Sequence, residues 1–432
     1  MSLTRRIYSL LLYLLVPVVM VRLLLRSLRI PDYRRRIGER FGFGSVLQSG
    51  IQTIWIHAVS MGEVQAALPL VQALRKNHSW ARILLTTTTI TGAEHVDATF
   101  AVDHAVIHRY APYDLPSAVD RFLNRVRPQL LIIMETELWP NLLRACRQRK
   151  IPVILANARL SIRSMRGYRR FAAFTRETLR DLSVIAAQSR ADAERFITLG
   201  ALPERVQITG NIKFDLYLPG NLWKEALTLR HDLNPKRPIW IAASTHQGEE
   251  EIILAVHSEL RRTLVDALLV LVPRHPERFA RVANLCKDAG FPPVAWSEHR
   301  PVPSHHAVYL GDTMGHLPLF YAAADAAFIG GSLVSIGGHN PLEAAAIGIP
   351  VVFGPYCFNF VEITQLLMDA NAARQVNDAA ELVSTLYDWL REPDLRHKMG
   401  ARGRQVVADN RGALTALLEI VARCQNDISL DA

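Results

Sequence analysis

Carboxylates stand in this chain where a proton acceptor is wanted. Glu63 closes the run His57-Ala-Val-Ser60-Met-Gly-Glu63, and Glu135 and Glu137 lie within Met134-Glu-Thr-Glu-Leu-Trp-Pro-Asn141. A sugar hydroxyl is a poor nucleophile until a base takes its proton, and a carboxylate within hydrogen-bond reach does this as the new bond forms. Glu135 and Glu137 directly follow the apolar run Leu130–Met134. A carboxylate at the end of a buried strand is costly unless it is paired or used. Ser60-x-x-Glu63 is also a capping box, which accounts for Glu63 by helix stability alone.

A different chemistry is written into Gly330–Pro355, GGSLVSIGGHNPLEAAAIGIPVVFGP. Ala324–Ile329 reads as a buried strand, and Gly330-Gly331 and Gly337-Gly338 let backbone approach a ligand without Cβ interference. Asn340 reads as an N-cap, Pro341 takes the first helical position and Glu343 the third, with the helix ending near Gly348. Free N–H groups in a loop that opens into a helix N-terminus predict a phosphate seat, and Glu343 suits a ribose diol. A nucleotide or nucleotide-sugar site is expected, although Asn340-x-x-Glu343 alone also reads as a helix cap. Neither a Walker loop nor GxGxxG occurs. Cations that suit a leaving phosphate are Lys213, in Gly210–Asp215, and Arg274, in Pro273-Arg-His-Pro-Glu-Arg278, unless Arg274 merely bridges Glu277 or Glu250. His246 and His316 read as surface or capping residues. With no D-x-D, a metal-bridged diphosphate is not expected.

These residues need a scaffold that brings strand ends together. Ile54–Ala58, Ile83–Thr87, Leu130–Met134, Val153–Ala156 and Val184–Ala187 read as buried strands, with amphipathic Val64–Lys76 and Pro116–Val126 between them. The pattern lapses over 218–238. It restarts with Ile239–Ala243, Leu268–Val272, Val308–Leu310, Ala326–Ile329 and Val351–Phe353. Apolar strands separated by helices predict parallel sheets covered on both faces, here two doubly wound halves around a cleft, with ligands beyond the carboxyl ends of the strands. The last helical stretch, about Leu414–Cys424, is free to pack back on the first half.

With 432 residues, half of them hydrophobic, two domains are affordable. Cys146, Cys286, Cys357 and Cys424 are scattered, which fits a reducing compartment and argues against a disulfide framework or a structural zinc. The net charge of +10 does not imply a nucleic-acid partner, because +7 of it falls in residues 1–40 (Arg5, Arg6, Arg22, Arg26, Arg29, Arg34, Arg35, Arg36 and Arg40 against Asp32 and Glu39). That cluster brackets the uncharged run Ile7–Val21, fifteen residues that become nineteen to Leu25 if Arg22 snorkels. A bilayer crossing needs about 20. An uncleaved anchor, spanning or lying in the interface, is expected, and the arginines after it place the body on the cytoplasmic face.

Taken together, the motifs resemble the bacterial 3-deoxy-D-manno-octulosonic acid (Kdo) transferases of lipid A assembly. The resemblance rests on Ser60–Glu63, METELWPN at 134–141, LANAR at 155–159, KFD at 213–215, STHQGEE at 244–250, PRHPERF at 273–279, GDTMG at 311–315 and GGHNPLE at 337–343. It implies an α/β GT-B fold, two Rossmann-like doubly wound domains facing a cleft, behind an N-terminal anchor helix. The expected divisions are 1–30 (anchor), 31–217 (acceptor domain), 218–238 (linker), 239–400 (donor domain) and 401–432 (a helical tail that returns to the first domain). It also implies transfer from CMP-Kdo to a lipid A precursor at the cytoplasmic face of the inner membrane, with no cofactor, metal or nucleic acid. By matching motif, Glu63 becomes the general base, Glu135 and Lys213 support the transition state, and Pro273, Arg274, Met314, Gly315, His316, Asn340, Pro341, Leu342 and Glu343 hold CMP. His316 departs from the family pattern, in which glutamate follows that Met-Gly. Two rival readings stay open, another GT-B nucleotide-sugar transferase or epimerase and a non-catalytic membrane-surface protein.

Overall fold

The computed structural model describes residues 2–30, 34, 36–48, 50–78 and 80–430; Asp32 and Arg35 of the basic cluster lie outside them. The chain divides into two compact units, Met1–Asp215 with Arg411–Ala432, and Leu216–Asn410.

The first unit carries strands β1 (Thr53–His57), β2 (Arg82–Thr87), β3 (Val106–Tyr110), β4 (Leu130–Met134), β5 (Val153–Ala158), β6 (Val184–Ala187) and β7 (Val206–Ile208). They form one sheet in the order β3-β2-β1-β4-β5-β6-β7 with every pairing parallel. Alternate residues face opposite sides. Ile54, Ile56, Leu130 and Ile132 pack against the helix Met61–Asn77 and the C-terminal helix Ala413–Leu430, while Trp55, Leu131 and Ile133 pack against Pro116–Val126 and Pro140–Gln148. The tail is tied in at its start, where Asp215 accepts the N–H groups of Gly412 and Leu414, each at 2.8 Å.

The second unit repeats the plan with β8 (Ile239–Thr245), β9 (Leu268–Pro273), β10 (Val294–Ala295), β11 (Val308–Leu310), β12 (Ala326–Ile329), β13 (Val351–Phe353) and β14 (Ala373–Gln375). Its order is β10-β11-β9-β8-β12-β13-β14, again all parallel. Both sheets are therefore doubly wound, with the order reversing between β1 and β4 and between β8 and β12. Such reversals leave a crevice beyond the carboxyl ends of the strands. The expected linker 218–238 contains an eleven-residue helix, Leu222–Asp232, whose Leu222, Ala226 and Leu229 are buried.

Leu3–Arg29 is one helix, and Leu3–Leu28 of it is long and apolar enough to cross a membrane. One face of its first turns is tied to the first unit. Arg5, expected to join the interfacial charges, is wholly buried, donating to Asp181 Oδ2 and to the Pro140 carbonyl, each at 3.0 Å, with Glu177 3.4 Å away. Tyr8 donates to Asp114 (3.0 Å) and Ser9 to Asn141 (3.1 Å). An arginine taken out of water needs such a set of partners, and these commit it to the protein.

Candidate active site

The first crevice gathers the carboxylates. Ser60 caps the helix Met61–Asn77, and Glu63 turns back to accept the Val59 N–H (2.8 Å) and the Ser60 hydroxyl (3.2 Å). The capping arrangement is thus real, but it is not the whole environment of Glu63. Burial first, and then the nearby Glu135 and Glu137, push its carboxyl up to about 7, against the two hydrogen bonds. A carboxyl poised there can hold or release a proton at neutral pH.

Glu135 leaves β4 in the left-handed region, with φ of 58°. A residue with a Cβ pays for that conformation, and such strain gathers at sites that need a side chain aimed. Two cations face it, Lys213 Nζ at 3.6 Å and Arg159 Nε at 3.5 Å. Lys213 is in turn placed by Asn157, buried at a bulge in β5 with φ of 52°, whose side-chain oxygen accepts the Ile212 N–H at 3.1 Å. Glu137 accepts the Trp139 indole N–H at 2.8 Å, and the Trp139 ring stands edge-on to His57 at 4.8 Å. Burial lowers His57 to about 4, which keeps that imidazole neutral. Glu63, Glu135 and Lys213 are therefore brought together as expected from their strand ends, and Glu137 and Asn157 join them.

The second crevice is built differently. Gly330 follows β12 so closely against β8 that a Cβ there would lie 2.4 Å from the Ser244 carbonyl, and a Cβ on Gly337 (φ 106°) would lie 2.4 Å from Asn359. The glycine-rich loop was expected to offer free N–H groups to phosphate. At Gly331, Ser332 and Leu333 they are taken: buried Glu249 accepts all three, at 2.7, 3.1 and 3.0 Å, together with the His246 N–H at 3.2 Å. Four donors on one carboxylate satisfy the loop internally, and no phosphate seat remains at those three groups.

Beside this lock, His246 and His339 meet Nε2 to Nε2 at 2.7 Å with their rings within 7° of parallel, and the His275 ring stands edge-on to His246 at 5.3 Å. Burial and neighbouring positive groups hold His246 at about 4 and His339 at about 3, so the two neutral rings share one N–H between them. This pairing corrects the expectation of His246 as a surface residue. Its signal in the sequence, histidine after each strand at the reversal, is visible only once β8 and β12 are known to be neighbours.

Among the expected donor residues, Arg274 follows Pro273 at the end of β9 and forms no ion pair among the described residues; Glu250 is bridged instead by Arg278, at 3.0 Å. Burial raises the Glu343 carboxyl, with the Arg274 charge opposing. Asn340 accepts the Leu342 N–H at 3.1 Å, and the short helix Leu342–Ile347 begins one residue later than predicted, after Pro341. Met314 is half-exposed, Gly315 has φ of 83°, and His316 pairs with Thr313 Oγ1 at 3.1 Å while its ring lies 5.3 Å from Trp296. No cluster of three or more metal-ligating side chains is present among the described residues.

Comparison with known proteins agrees with this architecture. Residues 35–216 match the family described as 3-Deoxy-D-manno-octulosonic-acid transferase (kdotransferase), and residues 236–406 match Glycosyl transferases group 1. A 3-deoxy-D-manno-octulosonic acid transferase of Haemophilus influenzae is 44% identical over 419 residues, covering 96% of this chain and 98% of the relative. One of Bordetella pertussis is 37% identical over 379 residues, covering 85% and 86%. In fold, a UDP-GlcNAc 2-epimerase of Neisseria meningitidis superposes with a TM-score of 0.57 at 14% identity, covering 86% of this chain and all of the other.

Proposed function

Because the chain belongs to the 3-deoxy-D-manno-octulosonic acid transferase family, we propose that it is a metal-independent, inverting enzyme moving Kdo from CMP-Kdo to a lipid A precursor, lipid IVA. The observation that carries the reading is Glu63, half-buried beside Glu135 and Glu137 and raised to about 7.

Glu63 acts as general base. The acceptor O–H bond breaks toward its carboxylate as the oxygen bonds the anomeric carbon of Kdo, and the bond from that carbon to the phosphate oxygen breaks, its electron pair leaving with CMP. One displacement inverts the centre. A glycosidase needs a second carboxyl to protonate its leaving alcohol; a phosphate is already a weak base and leaves without an acid. It needs its charge stabilised, and Arg274, which forms no ion pair among the described residues, suits that role, with Asn340, Leu342 and Glu343 toward the nucleoside and Pro273 and Met314–His316 lining the donor site. Lys213 and Glu135 support the developing charge around the acceptor. The apolar N-terminal helix supports a site of action at the cytoplasmic face of the inner membrane.

The test is incubation of the full-length protein in detergent with CMP-Kdo and a tetraacylated precursor, with products resolved by mass and with UDP-sugars as alternative donors. Kdo addition that survives a chelator is expected. Transfer from a UDP-sugar alone, or activity that collapses with chelator and returns with magnesium, overturns the reading.

A further inference from the structure

A cavity of 660 Å³ opens between the N-terminal helix and the stretch Tyr168–Thr178, away from the hydrogen bonds of the carboxylate cluster. Its walls are apolar, with Ile7, Tyr8 and Leu11 on one side and Leu138, Tyr168 and Phe171 on the other. The volume lies in the roughly 300–1,000 Å³ range of small-ligand sites.

Three observations say what it holds. The helical wall is fixed in place: buried Arg5, Tyr8 and Ser9 bond Asp181, Asp114 and Asn141, so the groove is part of the folded unit. The opposite wall is continuous with the proposed reaction centre, since Leu138 and Pro140 follow Glu137 in one segment and the Glu137 charge is felt at Tyr168. The rim is cationic. Arg170 lines the groove, residues 160–176 contain no acidic side chain, and neither Arg170 nor Arg163, Arg166 and Arg169 in the preceding helix Ile162–Arg169 forms an ion pair among the described residues. An apolar slot with one guanidinium in its lining that forms no ion pair among the described residues matches a fatty chain attached to a phosphorylated head group. Exposed Phe171, Leu10 and Leu14 extend the apolar surface from the groove along the helix.

We propose that this groove is a lipid subsite that takes one acyl chain of the phosphorylated glycolipid acceptor, with Arg170 on its phosphate. The N-terminal helix is then a wall of the acceptor site as well as an anchor. This deepens the function proposed above and rests on its acylated acceptor. Bilayer phospholipid offers similar chemistry; the approach of the groove to Glu137 is what selects the acceptor.

The experiment uses the full-length protein in mixed micelles and a tetraacylated diglucosamine bisphosphate bearing a diazirine at the end of one acyl chain. Photolabel is expected in peptides covering Ile7–Leu11 and Tyr168–Thr178. Excess unlabelled acceptor should reduce it at least tenfold, and the same excess of phosphatidylglycerol should not. Label confined to Leu14–Val21, or displaced equally by phosphatidylglycerol, overturns the proposal. As a second measurement, Ala173→Trp, at an exposed helical position on the groove, should shrink the KM advantage of the tetraacylated over the deacylated acceptor at least tenfold. An unchanged ratio overturns the proposal as well. Labelling requires no Kdo transfer, so specific labelling without transfer sinks the functional reading and leaves the groove standing.

Discussion

Glu63 and Glu249 occupy the same place in the two sheets, and they have opposite fates. Each follows the first strand of its unit, beside the reversal in strand order, and each carboxylate turns back to a backbone N–H shortly before it, Val59 at 2.8 Å or His246 at 3.2 Å. The loop across the crevice decides the rest. After β12 it presents three N–H groups, which lock Glu249. After β4 it presents Glu135 and Glu137, whose like charges add to burial and raise Glu63 to about 7. A carboxylate at a reversal point becomes part of the frame when donors face it and becomes a titrating group when carboxylates do.

The same substitution at both sites is the sharpest way to break that comparison. Glu63→Gln keeps the helix cap, since glutamine also serves there, and loses proton acceptance. Turnover should fall by about 100-fold or more, about 3 kcal/mol, with melting temperature and CMP binding held. Near-normal turnover would return Glu63 to a capping role and make Glu135 or Glu137 the next candidate. Glu249→Gln should do the reverse. An amide nitrogen turned toward N–H donors strands part of the loop, and the expected loss is about 2–4 kcal/mol of stability, read as a lower urea midpoint. Turnover per folded molecule should change far less than in Glu63→Gln.

Much of this was legible in the chain before folding, and the exceptions have physical causes. Runs such as Leu130–Met134 and Leu268–Val272 are apolar throughout because parallel strands are covered on both faces. Strand β3 escaped because His108 and Arg109 interrupt it; their polarity is absorbed by partners distant in sequence, such as Thr87, 2.9 Å from His108. The helix Leu222–Asp232 was hidden between Pro219-Gly220 and Asn234-Pro235, which read as a linker but punctuate its two ends. Glu63, Glu135 and Lys213 could be named from strand ends. The lock on Glu249 could not, because its donors lie more than eighty residues away, and a buried Arg5 looks in sequence like any interfacial arginine.

The donor side can be probed through Arg274, which forms no ion pair among the described residues and whose charge is felt at Glu343. Arg274→Ala removes a guanidinium with no ion pair among the described residues, so stability should fall only by the modest loss of its charge near Glu343, while CMP binding measured by calorimetry weakens by about 1–3 kcal/mol if a charge-assisted bond is lost. Equal CMP affinity in the variant would place the phosphate elsewhere in the crevice.

The smallest effect tests the like-charge half of the argument. Glu63 is raised from 4.5 to about 7 by burial first and by Glu135 and Glu137 after it. A base must be ionised to work, so kcat/KM should fall as pH drops below about 7. Glu137→Gln removes one of the two neighbouring charges and still offers an amide oxygen to the Trp139 indole. The Glu63 carboxyl should then ionise more readily, and the acid limb should move to lower pH by about half a unit to one unit, with burial keeping it above the ordinary carboxylate range. The sign for stability is the companion reading. A raised pKa means that the folded state holds the proton more tightly, so this contribution to stability is complete below 4.5 and is lost as pH rises to about 7. Glu137→Gln should flatten that loss, and Glu63→Gln should abolish it. A limb that stays in place in Glu137→Gln would remove Glu137 from the account of how the two glutamates diverged and leave burial and Glu135 to carry the shift.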